Sequence, residues 1–284
     1  MANADLRPMT IGEVLDRTFR LYKSDFWLFA GIMSLPFFVL FIFNVSLAWV
    51  TRAHIATAGT AHSPGAIIGA AVGGALLFLV VIFALTGIGQ AATIFAVSDL
   101  YLGRTASIRG SFRQVWGHIL QVLGVLFLVF LLVMVGFIFL IIPGIILMCR
   151  TGVAVPAAML EDEGPITAIS RSMHLTKGFA MQMFLIFVLT WVLATIATVI
   201  FQLPFTIMAI TPHPHVLPFG MVILQDLTAF ISQVLIAPVG GIAFSLMYYN
   251  LRVRKEAFDL EHLMGAMGTG SAPGGAAPGA VLPA

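Results

Sequence analysis

The chain predicts an all-α polytopic membrane bundle. Six transmembrane helices are joined by three amphipathic helices on the cytoplasmic face, arranged as a three-fold pseudo-repeat. Three observations carry that prediction. Hydrophobic residues make up 60% of the 284 and charged residues only 9%, with a mean hydropathy of +1.05. Soluble domains carry roughly a quarter charged residues, and a water-soluble chain could not cover this much apolar surface. Six apolar runs are long enough to cross a bilayer, and basic amphipathic segments precede them in a repeating order. The net charge of +2 is too small to argue for nucleic acid, because the cations flank apolar spans instead of forming a run.

The elements follow in order. About 25 mixed-charge residues precede the first apolar run, so no cleavable signal peptide is expected. Within them, Thr10-Ile11-Gly12-Glu13 fits a capping box that starts an interfacial helix over 10–24. At 100° per residue Ile11, Val14, Leu15, Thr18, Phe19, Leu21 and Tyr22 share one arc, opposite Glu13, Asp16, Arg17, Arg20 and Lys23. That pattern predicts a helix lying flat among headgroups. The first span covers 27–50, about 36 Å at 1.5 Å per residue. Ser63-Pro64 is an N-cap and N1 pair for the second span, 66–97. Gly65, Gly69 and Gly73 recur every fourth residue, which predicts close approach of a neighbouring backbone.

Ser107 caps a second amphipathic helix over 107–117, with Ile108, Phe112, Val115, Trp116 and Ile119 opposite Arg109 and Arg113. Pro143-Gly144 is the turn between a third span, 119–142, and a fourth, 144–160. The third amphipathic helix, 164–177, opens at Gly164-Pro165 and sets Ile166, Ala168, Ile169, Met173 and Leu175 against Arg171, His174 and Lys177. Glu161, Asp162 and Glu163 just before it suit the positive end of its dipole. The fifth and sixth spans cover 179–210 and 220–249. A charged extension follows, with Arg252/Glu256 and Lys255/Asp259 at i,i+4 spacing. Residues 1–263 thus form one membrane domain, and the Gly/Ala/Pro-rich stretch 264–284 has nothing to bury and is expected to be disordered.

The order of one amphipathic helix and two spans occurs three times, and Leu15–Lys23 aligns with Ile169–Lys177. Charge sets the orientation. Six spans place the N-terminus, 98–118, 161–178 and the C-terminus on one side, which then holds 12 of the 14 Lys and Arg. The positive-inside rule makes both termini cytoplasmic.

Arg150 is the costly residue: a guanidinium at membrane depth needs a partner, water or a route to the interface. Depth counting places it level with Asp226, so a pair inside the bundle is expected, flanked by Asn44, Gln202 and Gln225. The alternative is a static pair that only fixes helix register, or an Arg150 that snorkels outward. Arg17, Arg20, Lys23, Arg109, Arg113, Arg171, Lys177, Arg252 and Arg254 are candidate contacts for anionic lipid headgroups. No catalytic residue, metal site or cofactor is expected. His213-x-His215 is flanked by prolines and lacks an acidic or thiolate partner, and neither a Ser-His-Asp order nor a phosphate-cradling loop is present. Cys149, the lone cysteine, reads as a small core residue.

Three stretches together resemble a known family: Thr10–Asp16 with Phe19-Arg20-Leu21-Tyr22, Ile142-Pro143-Gly144-Ile145 through Arg150 to Pro156, and Tyr248–Glu261. With Gly164-Pro165 and Arg171-Ser172, they are similar to the six-span membrane domain at the front of some bacterial glycerophosphodiester phosphodiesterases. That domain also occurs alone. Asn250 and Ala257 stand where the family pattern has an acidic residue and glycine. Residues 1–284 carry no counterpart of the catalytic barrel, so the resemblance implies an inner-membrane, multi-pass protein and not the phosphodiesterase reaction. The function expected is non-enzymatic engagement of lipids or partner proteins by the basic face. The alternative is a small-molecule or lipid transporter that uses the Arg150/Asp226 layer.

Overall fold

The computed structural model describes residues 9–57, 64–210 and 218–268. These form ten helices with no strand: α1 (Ile11–Ser24), α2 (Phe26–Thr57), α3 (Pro64–Tyr101), α4 (Ile108–Gly117), α5 (Ile119–Phe139), α6 (Ile141–Thr151), α7 (Ala154–Glu161), α8 (Pro165–Leu175), α9 (Ala180–Ile210) and α10 (Phe219–Gly268). Six stretches are long and apolar enough to cross a membrane: Phe26–Arg52, Val72–Tyr101, Ile119–Phe139, Ile141–Glu161, Ala180–Met208 and Phe219–Glu256. The fold is the all-α polytopic bundle that the sequence predicts.

The local signals act as their chemistry requires. Glu13 N donates to the Thr10 hydroxyl while Glu13 Oε2 accepts from Thr10 N at 2.7 Å, the reciprocal capping box. Ser107 caps α4 through Gly110 N. The fourth and eighth residues after each cap point inward in all three amphipathic helices: Val14 and Thr18, Ser111 and Val115, Ala168 and Ser172. In α4 the expected face holds in part: Val115 is buried and Ile108 and Phe112 pack on the core, whereas Trp116 is 78% exposed and Ser111 is buried.

Two boundaries move. Pro143-Gly144 is not the turn; the chain reverses at Leu140, whose backbone is extended. Proline is tolerated in a first helical turn, where its missing N–H has no acceptor to serve, so Pro143 sits inside α6. Gly144 serves the packing of the hairpin instead, because a Cβ on the facing Gly136 would stand 3.0 Å from the Gly144 Cα. The expected fourth span is also broken after Thr151, giving α6 and α7. Conversely α10 carries helix through Gly268, past the expected end of order. Nothing lies within 4 Å of where a Cβ would stand on Gly69 or Gly73, so that part of the glycine stripe packs against no neighbour among the described residues.

α10 is the hub, touching α1, α2, α3, α7, α8 and α9. Its core contacts lie toward one end of the bundle, where Ala91–Val97 of α3, Ala154–Met159 of α7 and Ile242–Leu251 of α10 bury their side chains together. The amphipathic helices gather at that end, hereafter the basic end. At the other end α3 leaves Leu76, Leu77, Leu79 and Val80 more than half exposed, as a lipid-facing surface does. Pro238 interrupts the ladder of α10, and the nearby Leu235 carbonyl accepts the Tyr22 hydroxyl of α1 at 2.7 Å.

Candidate functional site

Arg150 does not pair with Asp226. It lies in the last turn of α6, and its Nη2 donates to the Met173 carbonyl of α8 at 3.3 Å. A cation is favourable against carbonyls at a helix C-terminus. The contact is reciprocal, because the break after Thr151 leaves the last carbonyls of α6 without intrahelical donors. The Arg150 carbonyl takes hydroxyls from Ser172 at 2.8 Å and Thr176 at 3.1 Å, both buried. Depth counting treated α8 as a surface helix, but α8 packs along α7 and brings its C-terminal turn to Arg150. That return path gives the arginine a partner which linear counting cannot show.

Of the remaining polar residues of the expected layer, Gln202 meets the backbone of Gln225, while Asn44 bonds within its own helix. Gln202 of α9 donates toward the Gln225 carbonyl of α10 at 3.5 Å, and its Oε1 is buried without a partner. Arg52 lies over the Phe219 ring at 5.4 Å, and Phe38 and Phe41 meet Phe230 at 6.2 and 6.1 Å. α2 and α10 therefore run antiparallel, with Asn44 level with Asp226. Asn44 spends its amide on its own helix, at Leu40 O, 2.9 Å away.

A closed ring of charge joins α7, α8 and α10 at the basic end. Arg171 Nε donates to both Glu161 oxygens, at 2.9 and 3.2 Å, and its Nη2 reaches Glu256 Oε1 at 2.5 Å. Arg252 Nε grips the same Glu256 carboxylate at 2.9 and 3.1 Å. Tyr248 closes the circuit, donating its hydroxyl to Glu161 at 2.6 Å while Arg252 Nη1 approaches it at 3.5 Å. Two guanidiniums and two carboxylates leave the ring formally neutral. Glu161, with burial opposing it and Glu256 assisting, holds the Arg171 guanidinium above its ordinary pKa. The acidic run before α8 also makes three separate contacts. Glu161 enters the ring, Asp162 takes a left-handed C-cap 3.3 Å from His118, and the Glu163 carbonyl accepts the Gln121 amide.

A second clamp ties the chain start to α10. The buried Asn250 side chain accepts from Met9 N at 2.8 Å and donates to Met9 O at 3.1 Å, pairing as a backbone amide would. Arg254 Nη2 also donates to Met9 O at 2.6 Å and sits over Phe179, while Arg17 lies over Tyr101 at 4.9 Å. Tyr101 stacks on Tyr249 with centroids 4.5 Å apart, and Tyr249 donates to Ser98.

The nine candidate headgroup cations therefore fall into two groups. Arg17, Arg171, Arg252 and Arg254 are half-buried and each engaged by another group of the protein. Arg20, Lys23, Arg109, Arg113 and Lys177 are exposed. Sequence reasoning missed Glu161, Tyr248 and Asn250 as partners. The one legible signal was the spacing of Tyr248, Arg252 and Glu256, which puts all three on one helix face. No three His, Cys, Asp or Glu side chains among the described residues are grouped to hold a metal. His54, His62, His213, His215 and the Lys255/Asp259 pair involve side chains outside the described residues. In comparisons with known proteins the chain matches no family model, no curated protein and no solved structure.

Proposed function

We propose that the chain is a non-enzymatic inner-membrane protein that engages anionic lipid headgroups through its basic end, with both termini cytoplasmic. One arrangement carries the reading. Each exposed cation lies within seven residues of a large apolar side chain that is also exposed. Arg20 and Lys23 precede Trp27 (83% exposed), Arg109 and Arg113 precede Trp116 and Leu120, and Lys177 precedes Met181. Tryptophan at headgroup level beside cations is the signature of an interfacial anchor. A juxtamembrane cation near anionic lipid is worth about 1 kcal/mol, so five supply on the order of 5 kcal/mol before screening.

The test uses the protein in nanodiscs of mixed phosphatidylglycerol and phosphatidylcholine. Phosphatidylglycerol should be enriched around the protein, and the enrichment should fall as salt rises. A boundary layer with the composition of the bulk, indifferent to salt, would contradict the proposal. A transport reading rests on one specific observation, the shared level of Asn44, Gln202, Gln225 and Asp226. It predicts that Asp226→Asn abolishes flux of a labelled lipid or solute, while the headgroup reading predicts no change in phosphatidylglycerol enrichment.

A further inference from the structure

The geometry points to a resident acyl chain: a groove along α5, continued by the break between α6 and α7, takes one hydrocarbon chain of a bilayer lipid. The groove encloses about 520 Å³. Its long wall is one stripe of α5, Leu126, Val129, Phe130, Val133, Met134 and Phe137. Those eleven steps of helix span about 16 Å, close to the roughly 15 Å that one leaflet contributes to a hydrocarbon core. The facing wall is made where the fourth span is interrupted. Gly152 lines the groove without a side chain, and a Cβ there would meet Phe187 at 2.8 Å. Two aromatic pairs flank the slot, Phe83 with Phe130 at 5.8 Å and Phe187 with Phe244 at 4.6 Å.

The lining decides the chemistry of the occupant. Every contributing residue lies within a membrane-spanning stretch, so the groove opens onto lipid and not onto water. Its one hydroxyl, Thr151, is spent on the Leu147 carbonyl at 2.9 Å. A headgroup or polar solute would find no partner, whereas a hydrocarbon chain loses nothing and gains dispersion contact with both walls. Phe130, Met134 and Phe137 are about half exposed, which leaves the long side open for a chain to enter laterally from the bilayer. The exposed face of α3 at Val72, Leu76 and Val80 is just as apolar, yet it lines no part of this groove. None of the five outward cations lines the groove, so this site is independent of the headgroup proposal.

The experiment is photolabelling of the full chain in nanodiscs with a phospholipid carrying a diazirine in mid-chain. Peptides covering 126–137 and 148–155 should carry roughly threefold or more label per exposed area than the α3 face over 72–80, since a chain in the slot is touched on more sides. Val133→Trp should fill the slot and bring its labelling down to the α3 level. Met134→Phe serves the same purpose should the tryptophan variant fail to fold. Uniform labelling of groove and α3 face, or enrichment that persists in a folded filled variant, overturns the assignment.

Discussion

Replacing Arg171 by Met removes one guanidinium from a neutral ring and leaves two carboxylates facing one arginine. The Glu161 side chain is only 13% exposed, Arg171 29% and Glu256 41%. Breaking a buried pair from one side costs about 3–5 kcal/mol, and an exposed pair contributes about 0–1 kcal/mol. The Glu161 contact belongs near the first limit and the Glu256 contact near the second. Tyr248 still donates to Glu161 after the change, so the loss should be about 2–3 kcal/mol. Glu161→Gln keeps an acceptor for Tyr248 and leaves Arg171 its Glu256 contact, for a loss of about 1–2 kcal/mol. The double variant restores neutrality and should lose clearly less than the sum. A coupling energy of about 1.5 kcal/mol is expected from reversible unfolding in mixed micelles. Additivity within about 0.5 kcal/mol would show that Glu161 and Arg171 do not sense each other, and would refute the ring as an energetic unit.

Three other outcomes are expected. Asn250→Leu strands the Met9 N–H in a buried site and leaves the Met9 carbonyl to Arg254 alone, and should lower stability by about 1–3 kcal/mol in the same unfolding assay. Asn250→Asp, which keeps the acceptor for Met9 N and leaves Arg254 on Met9 O, should lose less; equal losses would contradict the clamp. Gln202→Leu removes a buried oxygen that has no partner and should raise stability by about 1 kcal/mol, whereas a loss of that size would place an unseen partner on Gln202. Cys149 is 2% exposed, so maleimide should leave it unmodified in the folded protein and label it in denaturing detergent. Rapid labelling in the folded state would instead indicate a water path beside Arg150.

Local chemistry made most of the fold legible. Thr10 and Glu13 announce α1, Ser107 announces α4, and the six apolar runs announce the spans, because each signal lies within a few residues of its effect. Boundaries set by packing were not legible. The reversal at Leu140 carries no turn residue, while the stronger signal, Pro143-Gly144, is absorbed into a helix start and a close approach to Gly136. The break at Gly152 follows from how α8 and α9 pack on it, information that lies 20 or more residues away. The site divides along the same line. Arg252/Glu256 is an i,i+4 pair and was readable, as was the shared level of Gln202 and Gln225. Glu161 with Tyr248, and Met9 with Asn250, join positions 87 and 241 residues apart. A hydrophobic count has no term for such contacts. The same limit explains why nine cations looked alike in sequence when only five face outward.

One comparison tests whether the outward cations serve lipid and the inward ones the fold. Two variants are placed in nanodiscs of mixed phosphatidylglycerol and phosphatidylcholine, and lipid preference and unfolding are measured on both. The first neutralises Arg20, Lys23, Arg109, Arg113 and Lys177 to Gln; it should lose the phosphatidylglycerol preference and unfold as the parent does. The second, Arg171→Met with Arg254→Met, should unfold more readily while keeping that preference. A reversed pattern, or equal loss of lipid preference in both, would contradict the assignment of the outward cations to lipid and the inward ones to the fold.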